Sequence, residues 1–213
     1  MKLEGERWRT LVSTVRLGRD EYRVVQPAQP LSHAPLYEGY MGVEASVDKA
    51  SALTIAMAWE FAMRSPRTLV YLPLRQSDVE CRWSAGPLLD LVLAHHSLGF
   101  RLSRWKQVRA RLRGGRPHTV VCQGFQREPD YRRLRHKDNR DLLRGEIVAD
   151  TVFVVGSRPA FEVGGQALRE LVEDCPRHMH ESPGTHCCAE INEDRQNWNW
   201  MHVVYCDKHR VHA

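Results

Sequence analysis

The chain has 213 residues, with 31 Lys or Arg, 26 Asp or Glu and a formal net charge of +5 at pH 7, and 42% of its residues are hydrophobic. This composition excludes a disordered chain, which has fewer apolar residues and a larger charge imbalance. No apolar run approaches the roughly 18 residues of a membrane-spanning helix. The sequence therefore predicts a globular protein of one domain with a sizeable core.

The first predicted elements are a strand, an irregular stretch and a buried helix. Residues 21–26 predict a short strand, and the prolines of 27–35 predict extended, irregular backbone. Ser46 is a suitable N-cap for a helix that ends near Arg64. Apolar residues recur every four positions from Leu53 onwards, so this helix is expected to be mostly buried.

The middle of the chain predicts two strands separated by two helices. The strands are expected at 68–74 and 118–123, where apolar and β-branched residues dominate. One helix is expected to begin near Pro87, a favoured first-turn residue. A second helix is expected over about 103–112.

Two further strands and a helix complete the prediction. The strands fall at 151–156 and 201–206, and the helix at 166–175. Continuously apolar strands that alternate with helices favour an α/β fold with a mixed or mostly parallel sheet flanked by helices. We expect a single α/β domain over 1–174, with a Cys/His-rich tail over 175–213 that completes the sheet.

Basic residues are concentrated between residues 101 and 144, where 14 basic and four acidic residues give a segment charge of +10. On the helix predicted there, Trp105, Val108 and Leu112 share an apolar face, which leaves basic side chains on the other side. A helix with a basic face is typical of proteins that bind phosphate-rich partners. The predicted nucleic-acid-binding residues are Arg101, Arg104, Lys106, Arg109, Arg111, Arg113, Arg116, Arg132, Arg133 and Arg135.

Two explanations without a nucleic acid stay open for this Arg-rich segment. Arg accounts for 26 of the 31 basic residues, and the codon bias of a GC-rich genome explains that excess without any function. The basic face is then a solvated surface. Alternatively, Arg is preferred for bidentate contacts to phosphate, and the partner is a nucleotide-like or other anionic small molecule.

The tail is enriched in metal-ligand residue types, because it holds four of the six Cys and six of the eleven His. Two residues separate Cys175 from His178, and two residues also separate Cys206 from His209. The two pairs can together form a tetrahedral site, for which Zn²⁺ is the best-suited ion. The run 186–188 can replace either pair. Buried thiols with surface histidines, or a redox-sensitive vicinal cysteine pair, are the alternatives.

The N-terminus has no apolar segment of the kind that a secretory signal contains, so we expect a cytoplasmic protein. In that compartment, cysteines are expected as thiols or metal ligands rather than as disulfides. No membrane partner is expected.

Catalytic candidates come from two places. Asp78 and Glu80 follow a predicted strand, where ligands bind in open α/β sheets. The segment from Gly156 through Glu162 to 169–174 resembles the Nudix box, which reads Gly, five residues, Glu, seven residues, then Arg-Glu-hydrophobic-x-Glu-Glu-x-Gly. Here the second spacer is six residues, and Asp and Pro replace the last Glu and the Gly.

The Nudix family hydrolyses nucleoside diphosphates linked to another group, using Mg²⁺ held by glutamates on a helix. The resemblance implies that Glu170, Glu173 and Asp174 occupy the metal-binding positions. An exposed acidic helix face is the alternative interpretation of this segment.

Taken together, these features predict a cytoplasmic protein that binds nucleic acid through an Arg-rich face and carries a structural zinc ion. An enzyme that acts on an anionic small molecule at the carboxyl ends of the strands is the first alternative. A protein–protein adaptor is the second.

Overall fold

The computed structural model describes residues 2–39, 42–77, 86–126, 132, 141–192 and 200–206. The strands are β1 (Arg7–Leu17), β2 (Asp20–Pro27), β3 (Leu36–Gly39), β4 (Gly42–Val47), β5 (Thr68–Leu72), β6 (Asp90–His95), β7 (Arg116–Val121), β8 (Arg144–Ile147), β9 (Thr151–Gly156), β10 (Cys188–Asn192) and β11 (Trp200–Tyr205). The helices are α1 (Lys49–Arg64), α2 (Trp105–Ala110), α3 (Arg158–Glu173) and α4 (Cys175–Glu181). Within the described ranges, every helix is too short or too polar to cross a membrane.

The strands form two sheets. The larger sheet has seven strands in the order β7-β1-β2-β5-β6-β9-β8, and the smaller has four in the order β10-β11-β4-β3. In the larger sheet, β2–β5 and β6–β9 are parallel pairs and the other neighbours are antiparallel. In the smaller sheet, β11 and β4 are parallel. The predicted α/β fold with a mixed sheet is confirmed.

Helices α1 and α3 lie between the two sheets. Helix α1 packs on β5 and β6 of the larger sheet and on β4 of the smaller one, while α3 packs on α1 and β10. Gly164 makes the close approach of the two helices possible, because a Cβ there would lie 2.8 Å from a ring carbon of Trp59. The Trp59 indole N–H also donates to the Phe161 carbonyl at 2.8 Å. This central position explains why α1 is apolar on nearly all sides.

Helix α2 covers the opposite face of the seven-stranded sheet. Alternate residues of each strand point to opposite faces. On the α2 side, Trp105 and Val108 pack with residues such as Val24, Leu69 and Phe153 in a second core. The order of layers is therefore α2, the seven-stranded sheet, α1 with α3, and the four-stranded sheet.

Two helix predictions need correction. The helix expected near Pro87 is wrong, because the apolar run forms β6, whose residues from Asp90 to Ala94 are all buried. A short run that is apolar at every position fits a strand buried on both faces as well as a helix. Helix α1 is capped by Asp48 rather than Ser46, since Asp48 Oδ1 accepts the Ser51 amide at 2.7 Å.

Helix α3 begins at Arg158, well before the start predicted at residue 166. Ser157 is its N-cap and accepts the amide of Ala160. The first half of the helix was not predicted because it contains Gly164 and Gly165, and glycine lowers helix propensity. The structure uses them for packing, because a Cβ at Gly165 would overlap the ring of Phe125.

The expectation that the cysteines are all thiols or metal ligands is also wrong. Cys175 at the start of α4 forms a disulfide with Cys187, which directly precedes β10. This bond joins the last helix to the C-terminal hairpin of β10 and β11.

Candidate basic surface and metal centre

The segment 101–116 is held to the sheet by the two apolar residues of α2. Trp105 and Val108 are fully buried. The Trp105 indole N–H donates to Thr151 Oγ1 at 2.9 Å, and its ring packs edge-on against Tyr71 and Phe153. Because these anchors fix the helix, the side chains of its other faces have defined positions relative to the sheet.

All seven basic side chains of this segment are exposed or half-buried, and we call the six other than Arg109 the basic surface. They are Arg101, Arg104, Lys106, Arg111, Arg113 and Arg116. None of the six forms an ion pair with any residue that the structure describes. The segment contains no acidic residue. The basic surface is therefore positively charged without local compensation.

Arg109 lies differently, although the sequence grouped it with the other six. Its guanidinium is directed at the buried carboxylate of Asp90, with an NH1–Oδ2 distance of 3.4 Å, and donates to the Ala149 carbonyl at 2.9 Å. Arg75 donates to the same carboxylate from Nε at 3.0 Å and from its backbone amide at 3.2 Å. The Tyr71 hydroxyl also donates a hydrogen bond to the Asp90 carboxylate at 3.0 Å.

These groups form a charge-balanced network. Asp150 also contacts both guanidinium groups, at 3.3 Å from Arg75 and 3.9 Å from Arg109. Burial raises the pKa of Tyr71 well above its usual value, and the charge of Asp90 adds to the effect. Through these contacts, Arg109 holds α2 against the sheet.

Other predicted site residues are distributed as follows. Arg132 is exposed. Arg133, Arg135, Asp78, Glu80 and His209 lie outside the described residues. On α3, Glu170 is exposed, whereas Glu173 accepts the backbone amide of Leu3 at 2.8 Å. Glu173 therefore has a structural contact that holds the N-terminus.

The C-terminal hairpin brings three potential metal ligands together. One ligand atom from each of His186, Cys188 and His202 lies within 4.8 Å of the others. In the antiparallel pair, Cys188 lies opposite Val204, and His202 lies opposite Glu190. Met201 and Val203 point into the core, so His202 belongs to the outward face of the sheet.

Burial and charge affect two of these three side chains. Burial lowers the pKa of His202, and the neighbouring His186 lowers it further, whereas Glu190 and Glu44 oppose the effect. Burial raises the pKa of the Cys188 thiol, and Glu190 adds to the effect. The group thus combines two imidazoles and one thiol, with two carboxylates nearby.

The ligand set predicted from spacing differs from this group. Cys175 is in the disulfide with Cys187 and offers no free thiolate in this form. His178 is exposed on α4, and Cys206 is half-buried just after β11. The alternation of His186 and Cys188 was a usable signal, but the position of His202 depends on strand register, which the spacing did not reveal.

A polar cluster that the sequence did not indicate lies between α1 and α3. Glu60 is fully buried, and its carboxylate accepts from Arg64 Nε at 2.7 Å and from the backbone at Gln123. Burial raises the pKa of Glu60, and Glu162 on α3 also raises it, against the lowering effect of Arg64. Glu162 accepts the backbone amide of Gln126, so this cluster holds the chain that follows β7.

Comparison of the chain with family models, with curated proteins and with solved structures finds no match. The resemblance of 156–174 to the Nudix box thus has no matching family model.

Proposed function

We propose that the protein binds nucleic acid through the basic surface. The observation that carries this proposal is the set of six exposed or half-buried cations on 101–116 without an ion-pair partner among the described residues. Each contact between such a side chain and a phosphate releases a condensed counterion and adds affinity that does not depend on base sequence.

The distribution of the charges favours a polyanion over a small anion. Arg101 and Arg104 precede the buried anchor Trp105, and Arg113 and Arg116 lie beyond the end of α2. Cations spread along a segment match the repeating phosphates of a nucleic acid backbone, whereas a small ligand needs cations that converge on one pocket.

The test compares two double variants of equal charge loss by fluorescence anisotropy with a labelled single-stranded DNA. Arg113→Gln/Arg116→Gln changes the basic surface, and Arg158→Gln/Arg169→Gln changes α3 on the opposite face of the sheet. We expect the first variant to bind roughly tenfold more weakly and the second to bind like the wild type. Equal losses in both variants, or no binding by the wild type, would contradict the proposal.

A second function rests on the His186, Cys188 and His202 group, for which we propose Zn²⁺ as the bound ion. Two imidazole nitrogens and one thiolate are ligands that Zn²⁺ prefers in proteins. Native mass spectrometry should find one zinc per chain in the wild type and in Cys206→Ser, and none in Cys188→Ser. Zinc retained by Cys188→Ser but lost from Cys206→Ser would contradict this ligand set.

A further inference from the structure

Glu190 lies on the same face of the hairpin as Cys188 and His202. Cys188 and Glu190 alternate along β10, so their side chains share a side. Glu190 is directly opposite His202 in the register of β10 and β11. Cβ atoms of such pairs are about 4.5–5.5 Å apart, which places the Glu190 carboxylate within reach of an ion bound by His202.

The Glu190 carboxylate does not belong to the group of ligand atoms that lie within 4.8 Å of one another, so its side chain has to turn to reach an ion bound there. Glu190 is exposed and forms no ion pair with a described residue, which leaves its side chain able to turn towards an ion.

Glu44 is the competing carboxylate, and its position differs. It lies opposite His202 on the other side, in β4. Its carboxylate lies over Gly39 of β3, where a Cβ would overlap it. Glu44 is thus packed on the strand pair away from β10.

We infer that Glu190 is the fourth ligand of the zinc site, which is then a closed site of His186, Cys188, Glu190 and His202. The inference rests on the zinc site proposed above. A thiolate and a carboxylate balance the charge of Zn²⁺, and four protein ligands leave no position for a reactive water. The site is structural, because the ion links β10, β11 and His186 in the segment before β10.

Titration of the full-length, chelator-treated protein with Co²⁺ tests this inference, since Co²⁺ replaces Zn²⁺ and its visible spectrum reports coordination number. The wild type should show the intense visible bands of four-coordinate cobalt together with a thiolate-to-cobalt charge-transfer band. Glu190→Ala should lower the affinity by about 10- to 100-fold and shift the visible bands, because water replaces the carboxylate as the fourth ligand. Glu190→Gln should give an intermediate result, and Glu44→Ala should behave as the wild type.

The outcomes separate the two proposals. If the wild type binds no cobalt, the zinc site itself is wrong. If the wild type and Glu190→Ala bind cobalt with the same affinity and spectrum, the zinc site stands and the role of Glu190 is wrong. If Glu44→Ala shows the larger loss, Glu44 is the fourth ligand and the inference is overturned.

Discussion

The seven-stranded and four-stranded sheets each carry a polar cluster, and the two clusters differ in completeness. In the larger sheet, Asp90 is buried and accepts hydrogen bonds from Tyr71, Arg75 and Arg109. With Asp150, this network contains two carboxylates and two guanidinium groups. On the smaller sheet, His186, Cys188 and His202 converge on the outward face.

The comparison distinguishes a structural network from a candidate metal site. In the Asp90 network, each charge already has a partner, so a ligand would have to displace an existing contact. The hairpin group offers ligand atoms of the types that bind metals, close to one another and near the surface. Buried polar groups with complete partners stabilise the fold, whereas converging ligand atoms are able to hold a metal ion.

The largest expected effect on stability comes from removing Asp90 from its network of ion pairs. Asp90→Ala leaves Arg75 and Arg109 without their buried partner and should lower the free energy of unfolding by about 3–5 kcal/mol. Urea denaturation followed by circular dichroism measures the loss. Asp90→Asn keeps the shape and part of the hydrogen bonding, so it should lose less. A change in Asp90→Ala as small as that of an exposed substitution would show that the network contributes little.

The next effect concerns the bond that holds the hairpin region. The Cys175–Cys187 disulfide spans a sequence separation of 12 residues. A loop of this size predicts a loss of about 3 kcal/mol when Cys175→Ser/Cys187→Ser removes the bond. Cys206→Ser is the matched control and should have a small effect. An unfolding midpoint that does not change in the double variant would contradict the structural role of the disulfide.

A smaller effect on stability is expected at the buried carboxyl group of Glu60. The raised pKa means that the folded protein binds the proton more tightly than the unfolded chain does. Stability therefore falls as the pH rises from the ordinary pKa of 4.5 through the raised value, and stays lower above it. Glu60→Gln should be more stable than the wild type at pH 8 by about 1 kcal/mol, or about 2–4 °C in Tm.

This advantage should vanish below the ordinary pKa of Glu60, where the carboxyl is neutral in both states. Thermal unfolding of both proteins at several pH values measures the difference. A Glu60→Gln variant that is less stable than the wild type at pH 8 would show that the ion pair with Arg64 outweighs the cost of burying the charge.

The smallest effect is expected at the turn between β8 and β9, next to the Asp90 network. Ala149 and Asp150 have φ values of 53° and 57°, a region that non-glycine residues rarely adopt. Ala149→Gly relieves this strain and should stabilise the protein by about 0.5–1 kcal/mol. Ala110→Gly, in the last turn of α2, should destabilise it by about 1 kcal/mol. Urea denaturation measures both changes. If the two substitutions changed the free energy of unfolding in the same direction, this account would be contradicted.

The sequence predicted features that depend on local pattern. The strand at Thr151–Gly156 is marked by a short apolar run, and the buried central helix is marked by apolar residues four positions apart. The positive charge of 101–116 follows from its seven basic residues and its lack of acidic ones. In contrast, β6 was mistaken for a helix, because an apolar run of its length has no distinguishing period.

The candidate metal site was only partly predictable, for a physical reason. The enrichment of Cys and His in the tail was visible in the sequence, but the approach of His202 to Cys188 depends on the pairing of β10 with β11. The removal of Cys175 from the ligand set depends on contact between α4 and the residue before β10. Arg109 likewise could not be separated from its neighbours without knowing the position of Asp90.

The most direct test of nucleic acid binding by the basic surface is the salt dependence of the affinity for single-stranded DNA. Each lost phosphate contact should reduce the steepness of log K against log salt concentration by about 0.7. Arg113→Gln/Arg116→Gln should therefore give a slope less steep than the wild type by about 1.4, while Arg158→Gln/Arg169→Gln keeps the wild-type slope. Identical slopes for all three proteins would contradict the account.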